Sequence, residues 1–478
     1  MSDPLHKNPI SFNKAVIYTS IIAGLVLMTF LIWRSGLATG LLFACIPFVC
    51  LIIIAFIKKP IVAYLYLYVV NFLIMGIGRY VNLPIPPGVI VDISILMTLL
   101  FLFFHTLYGR IDWRRAIHPL FFLSLIWLLY CFVEALNPSS SVGQWATSVR
   151  SIAIYIFLFP ILTSVICNRY KHLKIFLLVW AVLVLFAVLK AFVQKYHGFD
   201  SAELAWLTLS GGHTHLIHSG IRYFSFFTDA ANFGCHMAFA FVVFSISAIY
   251  IKSTKLRVFF TIVSIAAIYG MMISGTRTAI IIPFVGFTCF VLIVRQWKWI
   301  IAGCAVLVAT FMFFNFTYIG QENTSIRRMR TAFRFQQDAS YQVRIDNQGK
   351  MAQFMGDYPF GLGLGSSKHA EEDGLLYNIA TDSSLVYIWV ETGIVGLILY
   401  LAILLFILIL SIYYILRKLK HPELKGIVTA ITAGYAGMLV AGYANEVLHQ
   451  FPTGPTIYIC LAFIMMSPLL DKELRNEG

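Results

Sequence analysis

Apolar runs of about twenty residues recur along the chain, each closed by a short polar or charged segment. A helix needs ~20 apolar residues to cross a bilayer. The pattern therefore predicts membrane helices at 15–33, 37–57, 61–78, 89–108, 119–136, 152–168, 174–193, 226–251, 256–274, 278–294, 299–318, 384–416, 425–444 and 453–470. The run 384–416 is too long for one crossing, and Gly393 and Gly396 are candidate breaks between a short first segment and a full helix. The first ten residues are polar and no small-residue cleavage site follows the first run, so 15–33 reads as a retained helix rather than a signal peptide. The predicted fold is all-α: one polytopic membrane domain over 1–478 with about 14 transmembrane helices.

Composition agrees. Of 478 residues, 60% are hydrophobic and 12% charged, against roughly half and a quarter in a soluble globular protein. This excludes a soluble enzyme, a disordered chain and a secreted disulfide scaffold. The eight cysteines all fall inside apolar runs with no CxxC pair, so they read as small buried hydrophobes. The net charge of +14 invites a nucleic-acid reading, until each positive charge is placed on one side of the membrane. With the N-terminus inside and the spans alternating, 21 of the 35 Lys and Arg residues fall in inner segments. That pattern predicts N-in, C-in. The other fourteen are outside, and ten of those are Arg.

Positive charge held outside, against the topological bias, points to an anionic ligand there. Arg presents a planar fork of donors that suits phosphate, so a phosphate-bearing lipid fits better than nucleic acid. Contact with membrane lipid headgroups is the plainer alternative. The long outer segment 319–381 is basic in its first half and acidic in its second. Arg344, Gln348, Met351 and Met355 share one face of a helix expected over 341–357, which Pro359 and the following glycines end. That segment reads as a lid over an outward-facing site, or as an amphipathic helix on the membrane surface. Arg222 precedes the eighth span, followed by Asp229 and Asn232. Arg277 sits in the turn Ser274-Gly275-Thr276-Arg277, so short that its charge lies near membrane depth, where it needs a partner such as Asp229 or Asp382, or a watery cavity. His213, His215 and His218 have a spacing that zinc accepts, but no fourth ligand is evident, and the expectation is a polar loop with no metal.

These tracts resemble the O-antigen ligase and O-antigen polymerase superfamily of bacterial envelope glycosyltransferases over roughly 218–410. The elements are the Arg222 tract with Phe226–Asn232, the Ser274–Arg277 turn, the outer loop with Arg344, Pro359-Phe360-Gly361-Leu362-Gly363, and Asp382-Ser383-Ser384-Leu385 leading to Glu391-Thr392-Gly393. The resemblance implies a GT-C-like helical enzyme of the bacterial inner membrane, needing no metal or cofactor. It would move a glycan from undecaprenyl pyrophosphate to an acceptor hydroxyl on the outer face. The acceptor is a second lipid-linked glycan in a polymerase and the lipid A core in a ligase. Membrane lipids surround it, a chain-length regulator is a further candidate partner, and nucleic acid is not expected.

Carried onto this sequence, the resemblance makes Arg222 the first candidate diphosphate ligand, followed by Arg277 and Arg344, with Asn232 and Glu391 as further substrate contacts. Ligase-like members carry a His-Asn pair where this chain has Thr381-Asp382, which favours a polymerase. Asp382 and His369 are the candidate bases for the acceptor hydroxyl. A transporter or flippase without a catalytic step is the rival of another class, with Lys190 and Glu134 as its intramembrane charges.

Overall fold

The computed structural model describes residues 24, 26, 30 and 53–478, except 82–84, 110, 218–219, 296, 323, 331–338, 369–373 and 478. The expected spans 15–33 and 37–57 fall almost wholly outside the described residues, as do His218 and His369. The chain divides into two compact units, residues 1–63 and 64–478, and the second contains all the candidate site residues.

Every apolar run from residue 61 onward forms a helix. The principal helices are α1 Pro60–Ile77, α2 Pro87–Leu107, α3 Pro119–Val133, α4 Val142–Val149, α5 Tyr155–Ile166, α6 Tyr170–Tyr196, α7 Ala230–Tyr250, α8 Thr254–Ile273, α9 Ile281–Val294, α10 Trp297–Phe316, α11 Ala339–Ala352, α12 Ser384–Tyr413, α13 Pro422–Ala444 and α14 Thr453–Glu477. A π-helical turn, Arg150–Ile154, joins α4 to α5. Among the described residues, eleven helical stretches are long and apolar enough to cross a membrane. The protein is an all-α polytopic membrane protein. The strand pair seen among the described residues is a two-residue hairpin, Leu216–Ile217 against Gly220–Ile221.

Burial sorts the helices. α14, α7 and α13 are the most enclosed, at 89%, 78% and 78% of their apolar windows. Small residues let them approach. A Cβ on Gly437 would come within 2.5 Å of the Ile282 carbonyl, and one on Gly434 within 2.6 Å of the Phe239 ring. In lipid, where apolar surface gains nothing by leaving solvent, such close packing is what associates helices.

Two departures from regular helix shape the site. α12 is broken at Gly393, whose φ of 68° and ψ of −172° are not helical. The Pro359–Gly361 backbone enters the break: Leu362 N–H donates to the Val390 carbonyl (2.8 Å) and Val395 N–H to the Pro359 carbonyl (3.3 Å). A Cβ on Gly393 would lie 2.0 Å from the Pro359 oxygen, so only glycine fits. The helix expected over 341–357 ends at Ala352 and resumes as a tight turn, Met355–Asp357. Met351 and Met355 are nonetheless both buried in one cluster with Leu362, Leu376, Val386 and Val390. That cluster fastens the loop to the first turns of α12.

Candidate active site

Four segments far apart in sequence meet at one end of the helices: the loop before α7, the turn between α8 and α9, α11, and the end of α13. By the alternation of spans, all four lie on the same side of the membrane. Each delivers one polar group to a common cluster.

The Arg222 loop is built first. The hairpin ends at Ile221, and the Arg222 N–H donates to the His215 carbonyl (2.9 Å). His215 is buried, with Nδ1 2.8 Å from the Gly211 carbonyl and Nε2 accepting from the Ala230 N–H at 3.1 Å. Burial holds its pKa down to about 4, so the ring is neutral and can accept that bond. Beyond it, Ser225 adopts a left-handed φ of 53° and is anchored to Gln194 Oε1 (3.0 Å) and the Ala187 carbonyl (2.6 Å). Arg79 clamps the same stretch. It donates to the Ser225, Phe227 and Thr228 carbonyls and lies over Trp206 and Phe224 at 4.2 and 4.4 Å. Burial pushes its pKa down to about 10. Arg79, at the same end of the helices as Arg222, is spent on structure.

The Arg222 guanidinium donates to the Thr214 carbonyl and to Thr276 Oγ1, each at 3.1 Å. Burial pushes its pKa down, Asp229 opposes that, and Arg277 and Arg344 push it down further. Arg277 and Arg344, the other two arginines expected as phosphate ligands, are thus both close enough to act on Arg222. Asp229, the carboxylate that offsets Arg222, also caps α7 by accepting from the Ala231 and Asn232 N–H groups (2.7 and 2.9 Å). Thr276 in turn donates to the Ala230 carbonyl (2.8 Å), docking the Arg277 turn on the start of α7. The turn needs Gly275, at φ +62°. Gly234 allows its approach, since a Cβ there would meet Ser274 Oγ at 2.3 Å.

Arg344 reaches the cluster from α11. Its Nη2 donates to Asn445 Oδ1 (3.4 Å), and Asn445 Nδ2 donates to Thr278. Asn445 follows α13 and also receives Ser384: its carbonyl accepts from the Ser384 N–H (3.2 Å) and hydroxyl (3.1 Å). Beside it, Glu446 accepts from Lys368 Nζ at 2.6 Å. Burial pushes the Glu446 carboxyl up, Lys368 opposes that, and Asp382 adds to it. Asp382 therefore borders this group. It is exposed, sits at a left-handed φ of 40°, and its side chain makes no hydrogen bond among the described residues.

Two further expected contacts are held by protein partners. Asn232 is buried, with Nδ2 on Thr228 Oγ1 (2.8 Å) and the Phe451 carbonyl (2.6 Å) and Oδ1 accepting from Thr453. It ties α7 to the start of α14. Glu391 is fully buried and accepts from Ser367 Oγ (2.6 Å), pinning the glycine loop. Lys190 pairs with Asp200 (3.0 Å) and Glu203 (2.9 Å), and Glu134 accepts from Asn137 (3.0 Å). Thr276, Thr278, Asn445 and Glu446 do not stand out in the sequence as site residues. Their signal is the polar pair Asn445-Glu446 closing an apolar run on the side where the arginines are.

Residues 262–401 match a family model described as O-antigen ligase. The match supports the O-antigen ligase and polymerase superfamily and contains Arg277, Arg344, the Pro359 loop, Asp382 and Glu391. Arg222 and Asn445 lie outside it. No curated protein matches the chain. The match and the apolar helices together support an integral membrane enzyme of envelope glycan assembly, using a lipid-linked glycan donor and an acceptor.

Proposed function

We propose that this chain is a glycosyltransferase that lengthens lipid-linked envelope polysaccharide on the outer face of the bacterial inner membrane, N-in and C-in, without a metal. The observation that carries the reading is the convergence of Arg222, Arg277 and Arg344 from three separate segments. Two guanidiniums acting on a third, offset at Arg222 by a carboxylate that already caps a helix, favour a multiply charged anion. A diphosphate is such an anion.

In the reaction the acceptor oxygen attacks the anomeric carbon. The bond from that carbon to the diphosphate oxygen breaks, and the leaving group gains negative charge. Arginine donors held in place before the reaction stabilise that charge. Arg222 is fixed by Thr214 and Thr276 and Arg344 by Asn445, so little reorganisation is required. Asp382, exposed beside Glu446, takes the acceptor proton. A cavity of about 530 Å3 supports the lipid half of the donor. It is lined by Met271, Met272, Ile280, Phe284, Phe313 and Phe314 among others. Met272 and Ile280 flank the Arg277 turn, so an apolar chain there would lead its diphosphate to that arginine.

The Thr381-Asp382 pair favours a polymerase over a ligase. Deletion in cells should leave single repeat units on the carrier. Full-length polymer stranded on the carrier, unattached to lipid A, would instead identify a ligase. Arg222→Ala and Arg277→Ala should each reproduce the deletion at normal expression, and a normal polysaccharide ladder from both would refute the transferase reading.

A further inference from the structure

A second cavity, of about 530 Å3, is polar, and none of the three arginines lines it. Its walls are two loops, with Gly374, Leu375 and Leu376 completing the lining. Residues 137–141 connect α3 to α4, and residues 358–366 lead toward α12. Gly363 and Gly365 have φ of +79° and +92°. A Cβ on Gly363 would lie 2.3 Å from Ser140 Oγ, and one on Gly365 would lie 2.5 Å from the Gln144 carbonyl. The glycines let the loops close on one another and set Ser139, Ser140, Ser141 and Gln144 opposite Tyr358 and Ser366.

Among the described residues the lining is polar without charge: serines, a glutamine, a tyrosine, a proline, a glycine and leucines. Ser366 Oγ is buried and has no hydrogen-bond partner among the described residues. A buried hydroxyl left without a partner is disfavoured and is commonly met by water or ligand. The Ser139 and Ser140 hydroxyls are likewise unbonded among the described residues. A sugar ring offers hydroxyls along its rim and an apolar face, which hydroxyl donors, an amide and an aromatic ring together suit. A phosphate would call for cations, and the described residues lining this cavity include none.

A series of neighbouring residues and hydrogen bonds runs from the cavity wall to Arg344. Ser366 is followed by Ser367, held on Glu391, and by Lys368, held on Glu446. Glu446 adjoins Asn445, which holds Arg344. We propose that this cavity is a subsite for uncharged sugar residues of a glycan whose diphosphate end lies at Arg222, Arg277 and Arg344. This rests on the transferase reading. The sugars are those of the donor or of the acceptor.

The test uses the full chain in nanodiscs. The probe is the neutral repeat-unit oligosaccharide freed by mild acid from the host's lipid-linked glycans. Binding is read by saturation-transfer NMR. Ser139→Trp, which fills the cavity from an exposed position, should weaken binding at least tenfold. Ser366→Ala should weaken it three- to tenfold, and Arg222→Ala should leave it unchanged, all with melting temperatures near that of the parent. No binding to the parent protein, equal binding by both cavity variants, or loss in Arg222→Ala alone would overturn the proposal. If Arg222→Ala still transfers glycan while the cavity variants lose sugar, the transferase reading fails and the sugar site stands. Inhibition of transfer by the free oligosaccharide that is competitive with the lipid-linked donor assigns the cavity to donor sugars, and non-competitive inhibition assigns it to the acceptor. Either pattern supports the subsite.

Discussion

The two ends of the helices treat positive charge differently. At one end Arg115 pairs with Glu473 (2.7 Å), Lys174 with Glu423 (2.8 Å) and Arg475 with Asp471 (3.0 Å). At the other, Arg222 and Arg344 make no ion pair among the described residues and are held by neutral oxygens. The first set is neutralised by the fold. The second keeps its charge for something else. Not every arginine at that end belongs to the second set, since Arg150 pairs with Asp92 and Arg79 holds loop carbonyls. The side on which a cation lies therefore does not identify a ligand. The partner that holds it does.

The largest effect should come from the arginine cluster. Arg222→Ala or Arg277→Ala should lower transfer by roughly 10²–10³, as loss of one preorganised donor to a developing charge does, measured as glycan lengthening by purified protein. Arg222→Lys should recover only part, because Lys lacks the fork. A loss no greater than that of Arg115→Ala would erase the distinction between the ends. Next is Asp382→Asn, expected to slow transfer about a hundredfold while sparing donor binding. A proportional loss of binding would make Asp382 a ligand rather than a base.

His215 tests how the Arg222 loop is held. Its folded pKa of about 4 lies below the ordinary 6.5, so the unfolded chain binds the proton more readily. Its contribution is complete above pH ~6.5 and declines toward pH 4, by at most ~1.4 kcal/mol per unit. Melting temperature should fall over that window, and His215→Gln should flatten the fall. Asn445→Ala frees Arg344 and should cost about tenfold in transfer, near the worth of one charge-assisted hydrogen bond. The smallest effect belongs to the paired end. Glu473→Gln should leave glycan length unchanged and shift stability by under ~1 kcal/mol, since the Arg115 pair is partly exposed.

Much of the fold was legible because hydropathy alone dictates it. All twelve runs from residue 61 onward are helices, and the break at Gly393 followed from length and a glycine. The three arginines were legible because each is a cation outside the apolar runs. The groups around them were not. Asn445 lies 101 residues from Arg344 and 167 from Thr278, and no local pattern links such positions. Asn232 and Glu391 are the opposite case. Each sits in a conspicuous tract, but each is buried among protein partners, and a polar residue that joins two helices looks in sequence like one that binds a ligand.

The central claim is that the arginine cluster holds a diphosphate. Binding of undecaprenyl pyrophosphate and of undecaprenol to the nanodisc-held protein and to Arg222→Ala, Arg277→Ala and Arg344→Ala tests it most directly. The account predicts that each substitution weakens the pyrophosphate at least tenfold and leaves the alcohol unchanged. Equal pyrophosphate affinity in all four proteins would contradict it.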